Sequence, residues 1–173
     1  MSAVRGRIHK FGDNVNTDYI IAAQHKASSL RIDEMAAHAF EDIDSDFVTR
    51  VRVGDVIVAG RNFGCGSSRE AAVHVVKHHG ISCIIAISFA RIFFRNAINN
   101  GLPVIECDTA GFAHGDELVV DFQVGVVTNE TRDTSTQIPP LRGLLHAIGA
   151  AGGLVELVRT TGSLSVPGEA EEA

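Results

Sequence analysis

The densest chemistry in the chain lies in Gly60-Arg61-Asn62-Phe63-Gly64-Cys65-Gly66-Ser67-Ser68-Arg69-Glu70. Glycines at 60, 64 and 66 allow backbone turns that a Cβ would forbid. Before this stretch, Asp55-Val56-Ile57-Val58-Ala59 reads as a short strand; after it, Ala71 to His79 reads as a helix. A glycine loop that ends at a helix N-terminus presents bare N–H groups to an anion. This one adds the hydroxyls of Ser67 and Ser68 and the guanidinium of Arg69. A simpler use for part of it is a capping box, with Ser67 bonding the Glu70 N–H and Glu70 reaching back. Capping leaves the glycines and Arg69 unexplained, because a cation in the first turn opposes the helix dipole. An anion in front of Arg69 accounts for both, so the corner reads as a carboxylate or phosphate site. It is not a Walker A loop, which ends in Gly-Lys-Ser/Thr.

A second candidate is Asn16-Thr17-Asp18, set between the turn residues Gly12-Asp13-Asn14 and the apolar pair Ile20-Ile21. It reads either as an Asx-turn or helix cap, or as a group in which Asp18 orients Ser67 or Arg69. Cys65, Cys83 and Cys107 are too far apart for a compact metal or cluster motif and form no disulfide framework. Cys83 and Cys107 fall in apolar strand-like segments. Cys65, in the glycine loop, has no histidine base beside it in sequence, as a catalytic thiol would need. His74, His78 and His79 with Lys77 mark the wet, C-terminal end of a helix, where cations suit the dipole, rather than a metal set.

The elements that must carry these residues fit one domain of about 162 residues, followed by a small, acidic tail at 163–173 that is expected to be disordered. Of the 173 residues 45% are hydrophobic and 21% charged, as in ordinary globular proteins. The net charge of −6 without a basic stripe argues against nucleic acid. No apolar run approaches the roughly 20 residues of a membrane span, and Met1 to Gly6 lacks a signal-peptide core, so a cytoplasmic protein is expected.

Val4 to Phe11 reads as the first strand, Ile32 to Phe40 as a helix, and Phe47-Val48 as a short apolar element. Ile81 to Ile87 is a strand covered on both faces. Phe89 to Asn100 is a helix capped by Ser88 and stopped at Gly101. On it Arg91 and Arg95 stand i,i+4 and are expected in ion pairs at the surface or a subunit interface, touching an anionic substrate only secondarily. With Leu102 to Cys107 as the next strand, the order is that of a parallel α/β unit. Glu117 to Phe122 and Val124 to Thr128 read as an antiparallel hairpin, Leu141 to Ala150 as a helix, and Leu154 to Val158 as a final short element.

Asn62 to Glu70 resembles the signature of the swivelling domain of the aconitase superfamily; Asn16-Thr17-Asp18-Tyr19-Ile20-Ile21 resembles its second signature, and Ser88-Phe89-Ala90-Arg91-Ile92-Phe93 its third. Together they run over nearly the whole chain, which is similar to the small subunit of a two-subunit hydro-lyase. The 3-isopropylmalate dehydratase small subunit is the best-known example. The resemblance implies an α/β fold: a single swivelling β/β/α domain with a mixed, partly parallel sheet flanked by helices. It implies isomerisation of 2-isopropylmalate to 3-isopropylmalate by loss and return of water, in leucine biosynthesis. Ser67 would be the base and Arg69 the substrate-binding arginine, with Ser68 as a donor and Gly66 and Thr17 beside them.

A serine can act as that base only if its alkoxide is strongly stabilised, which the helix N-terminus, the loop N–H groups and Arg69 could do. Arg69 is also the natural fork for a carboxylate. The Lewis acid for the leaving hydroxyl has no ligands here. The resemblance therefore implies a large partner subunit carrying a [4Fe–4S] cluster, no cofactor or metal on this chain, and no activity without the partner.

The departure from the family lies at Ala22 to Leu30, where relatives carry substrate selectivity. Ala22-Ala23 replaces Pro-Gly, and His25-Lys26-Ala27 replaces Tyr-Leu-(Val or Arg). Lys26 or Arg31 could meet a carboxylate or could be solvated surface charges. The loop is small and polar, and is expected to be mobile without its partner. Dehydration of 2,3-dimethylmalate, (R)-2-methylmalate or homocitrate is the alternative within the class. An anion-binding regulatory module is the alternative outside it.

Overall fold

The computed structural model describes residues 3–28, 31–67 and 70–163. The chain opens with β1 (Val4–Lys10), then four short helices: α1 (Thr17–Ile20), α2 (Ala23–Ser28), α3 (Ile32–Ala36) and α4 (Phe47–Arg50). An alternating stretch follows: β2 (Val56–Ala59), α5 (Glu70–His78), β3 (Cys83–Ala86), α6 (Arg91–Asn99) and β4 (Val104–Glu106). The meander β5 (Glu117–Asp121), β6 (Val126–Asn129) and β7 (Thr134–Gln137) leads to α7 (Gly143–Ala151) and α8 (Leu154–Thr161). The stretch expected to be a mobile loop after Ala22 contains the helix α2, and the final short element is the helix α8.

All strands join one seven-stranded sheet in the order β4-β3-β2-β1-β5-β6-β7. The first four pair in parallel, Val58 opposite Ile85 and Ile85 opposite Ile105, and the rest antiparallel, Val4 opposite Val120. The fold is thus the mixed, partly parallel α/β architecture expected. β2 and β3 are buried at every position because each face has its own core. Ile57, Ala59, Ile84 and Ala86 pack against helices through Ile20, Phe47, Val73, Val76 and Phe93. Val56, Val58, Cys83 and Ile85 point the other way, toward Phe112, Leu118, Phe122 and Ile138.

Two devices fix the helices that flank the site. α5 is amphipathic, with Ala72, Val73, Val75 and Val76 buried, and ends in Lys77 and His78. Lys77 is drawn out of solvent, which depresses its pKa, and its ammonium bonds the carbonyls of Asn100 and Gly152, at the C-termini of α6 and α7. Ser88 does not cap α6: that helix starts from Ala90, and the Ser88 hydroxyl instead accepts from Asn62 N at 2.9 Å. Glu70 does not turn back to Ser67 either; its carboxylate accepts from Asn100 Nδ2 at 3.0 Å. The acidic tail beyond Ser163 lies outside the described residues.

Candidate active site

The three segments singled out by sequence meet at the ends of β1, β2 and β3. Asn16 and Cys65 form a parallel bridge, and Phe63 and Phe89 another. Backbone bonds lace them: Gly64 N to Val15 O and Thr17 N to Cys65 O at 2.8 Å, Phe63 N to Ser88 O at 3.0 Å, Ala90 N to Phe63 O at 2.9 Å. Asp13 Oδ1 accepts from Arg61 N at 2.6 Å, and Asn62 Nδ2 reaches Asn14 Oδ1 at 3.0 Å. The glycine loop is therefore held from both sides along its length.

Two glycines are obligatory in it. Gly64 has φ +77°, and a Cβ there would lie 2.2 Å from the Phe93 ring; Gly66 has φ +96°, and a Cβ would lie 2.2 Å from Asn16 Oδ1. That Asn16 oxygen is committed, because as N-cap of α1 it accepts from Asp18 N at 2.9 Å. Asn16 is thus the helix cap of the first reading, and the contact to the loop is made by Thr17 rather than by the Asp18 of the second. The buried Thr17 hydroxyl donates to Ser67 O at 2.9 Å and positions the serine from below.

Ser67 stands exposed on a cavity of about 330 Å³ lined by Thr17, Gly64, Gly66, Arg91, Ile92 and Phe93. Arg91, expected in an ion pair at the surface or a subunit interface and only secondarily on an anionic substrate, makes no ion pair among the described residues and lines this cavity, in keeping with its place in the third motif. A neighbouring hollow takes Arg91, Arg95, Phe89, Phe94 and Glu106. The cavity thus offers a hydroxyl, a guanidinium and an apolar wall, which suits a small anion with a hydrocarbon substituent.

Of the remaining candidates, Asp18 is half-buried in the first turn of α1, next to Thr17. Lys26 lies in α2, but its side chain is outside the described residues, as are Ser68 and Arg69 altogether. Arg31 is a surface group: it bonds Asp33 at 2.6 Å, and the hydrogen bond and charge of Asp33 raise its pKa. His74, His78 and His79 form no metal-binding set among the described residues, and His79 Nε2 is bonded to Ala36 O at 2.9 Å.

The cysteines do not fit an iron–sulfur cluster. Burial pushes the Cys83 thiol up to about 12 and the Cys107 thiol up to about 11, so both are protonated, inert thiols in this fold. No cysteine belongs to a convergent ligand set among the described residues.

Residues 32–110 match the aconitase C-terminal domain family. The chain is 48% identical over 157 residues to the 3-isopropylmalate dehydratase small subunit of Caldicellulosiruptor saccharolyticus, covering 90% of each chain. It is 50% identical over 159 residues to the 2,3-dimethylmalate dehydratase small subunit of Eubacterium barkeri, covering 91% of this chain and 97% of that one. Its fold matches the crystal structure of the 3-isopropylmalate dehydratase of Methanocaldococcus jannaschii with a TM-score of 0.87 and 44% identity, over 91% of this chain and 94% of the other.

Proposed function

The chain belongs to the family of aconitase-type dehydratase small subunits, and from that premise we propose that it is the small subunit of a two-subunit hydro-lyase that interconverts 2-isopropylmalate and 3-isopropylmalate. The observation that carries this reading is the cavity in which Ser67, Thr17 and Arg91 meet an apolar wall formed by Ile92 and Phe93. A branched hydroxy-dicarboxylate has matching parts: anionic ends for the arginines and a small alkyl group for the wall. Names of relatives covering nine-tenths of their length support the same class.

In this assignment Ser67 takes the proton beside the substrate carboxylate. Its backbone is held by Thr17, and Arg69 lowers the cost of the alkoxide while gripping a carboxylate. Ser68 and Gly66 contribute donors, Asp18 orients the pair, and Lys26 reaches the substrate from α2. The Lewis acid belongs to the large subunit, whose [4Fe–4S] cluster this chain has no cysteines to hold.

One observation favours a second substrate. Histidine and lysine at positions 25 and 26 replace an aromatic and a leucine, and the 2,3-dimethylmalate relative is as similar as the isopropylmalate ones. The test is anaerobic reconstitution with the large subunit and turnover of a panel of 2-alkylmalates, with native chain and Ser67→Ala. Preference for isopropylmalate, abolished by the substitution, is the expected result. Preference for dimethylmalate moves the substrate but keeps the class. No turnover of any alkylmalate, with anion binding retained, would replace the enzyme reading by the regulatory one.

A further inference from the structure

Outside the cavity lining, one group of side chains converges, and it includes His25 of the segment read above as bearing on substrate choice. His25 on α2, His38 after α3, and Glu41 bring three ligand atoms within 4.8 Å of one another. One Glu41 oxygen bonds His25 Nε2; the other bonds His38 Nδ1 at 2.7 Å. The two imidazoles lie face to face, 3.7 Å apart and 6° from parallel, so a shared ion requires the rings to turn out of this stack until their in-plane lone pairs converge. We infer that His25, His38 and Glu41 form a binding site for a divalent first-row transition ion of the Zn2+ type.

The donor set fits that class. Two imidazole nitrogens and one carboxylate are ordinary ligands for zinc and its neighbours, whereas magnesium and calcium take oxygen almost exclusively. Three protein ligands leave a fourth position for water, and all three groups are only half-buried, so the site is reachable. The nitrogens facing Glu41 can release their protons by tautomerism to the opposite ring nitrogens, which frees both lone pairs toward an ion.

The backbone is built for this convergence. Phe40, a bulky residue, is held at φ +59°, the left-handed region that favours glycine. Its side chain is fully buried and stacked 4.7 Å from Phe11, and its N–H bonds Ile20 O at 3.2 Å. That turn sends Glu41 back over His38, three residues earlier, and against His25, 16 residues earlier. An ion there ties α2 to the segment after α3. The next helix upstream of α2 is α1, whose Thr17 lines the cavity, so the ion fixes the substrate side of the site from outside the chemistry.

The experiment is titration of the full chain, stripped of metal with a chelator, with Zn2+ by calorimetry and with Co2+ by its visible d–d absorption. The expected result is one ion per chain and a metal-dependent rise in melting temperature. His25→Ala, His38→Ala and the near-isosteric Glu41→Gln are each expected to weaken binding by roughly 100-fold or more, and Glu41→Gln to abolish the rise. His78→Ala, an exposed histidine elsewhere, is the control and is expected to bind normally. No saturable binding by the native chain, or binding that the folded Glu41→Gln chain retains unchanged, overturns the site.

Discussion

In the proposed reaction Ser67 is the base, a role a serine hydroxyl fills only when its surroundings are arranged, and the Thr17 hydroxyl fixes its backbone by donating to Ser67 O. Ser67→Ala is expected to lower kcat of the reconstituted enzyme by about 10²–10⁴-fold with little change in KM, read by steady-state kinetics. Thr17→Val removes only the donor. It is expected to lower the stability of this subunit by about 1 kcal/mol in urea unfolding, and kcat by up to about tenfold, since 1.4 kcal/mol of barrier is a factor of ten. That Ser67, Gly66 and Thr17 would come together was legible through the family motifs they sit in, whereas residue type alone left capping open for the serine and for the Asn16-Thr17-Asp18 segment. Arg91 was harder to read: the third motif marks it, but helical periodicity says only which residues share a face, not that this one lines a cavity. His25, His38 and Glu41 were equally hidden, since they meet only through the left-handed turn at Phe40, a residue with no preference for that conformation.

At the level of elements, the loop between β2 and α5 depends on positions without side chains. Gly66→Ala forces a Cβ onto the Asn16 carboxamide and a left-handed φ onto alanine. It is expected to cost about 1–3 kcal/mol in the urea midpoint and to abolish turnover together with it. The hairpin half has its own staple in Asp116, buried at the start of β5. It accepts from Asn129 Nδ2 at 2.8 Å, Ala113 N at 2.9 Å and Arg132 Nε at 2.6 Å. Burial raises its pKa, but those bonds and the Arg132 charge outweigh it, and the net shift is downward. A carboxyl depressed in the folded state stabilises fully above its unfolded value of about 3.9. Asp116→Asn is therefore expected to destabilise at pH 7, and the gap to native to close as pH falls below about 4, measured by unfolding at several pH values. The parallel β2-α5-β3-α6-β4 stretch was legible because its strands are continuous apolar runs separated by amphipathic helices. β7 was not: Thr134-Ser135-Thr136-Gln137 is polar and mostly exposed, the composition of an edge strand that resists further pairing rather than of a core strand. α2 was missed because small and polar residues read as a loop; it is a separate short helix, divided from α1 by the extended backbone of Ile21.

For the molecule as a whole, the site is half of something. Ile92 stands 54% exposed on the cavity wall, and among the described residues it is a large apolar group left open at that mouth. The isolated chain is expected to show no dehydratase activity, and Ile92→Asp to weaken association with the large subunit by at least tenfold in a pull-down titration while the subunit itself melts normally. No described helix is long and apolar enough to cross a membrane. The architecture has a further consequence in time. β1 is the seam of the sheet, parallel to β2 on one side and antiparallel to β5 on the other, with Val4 opposite Val120. On the ribosome the first strand made must therefore wait, one edge unsatisfied, until most of the chain has emerged. At 5–20 residues per second that delay is on the order of ten seconds, during which a nascent-chain chaperone has a specific segment to guard.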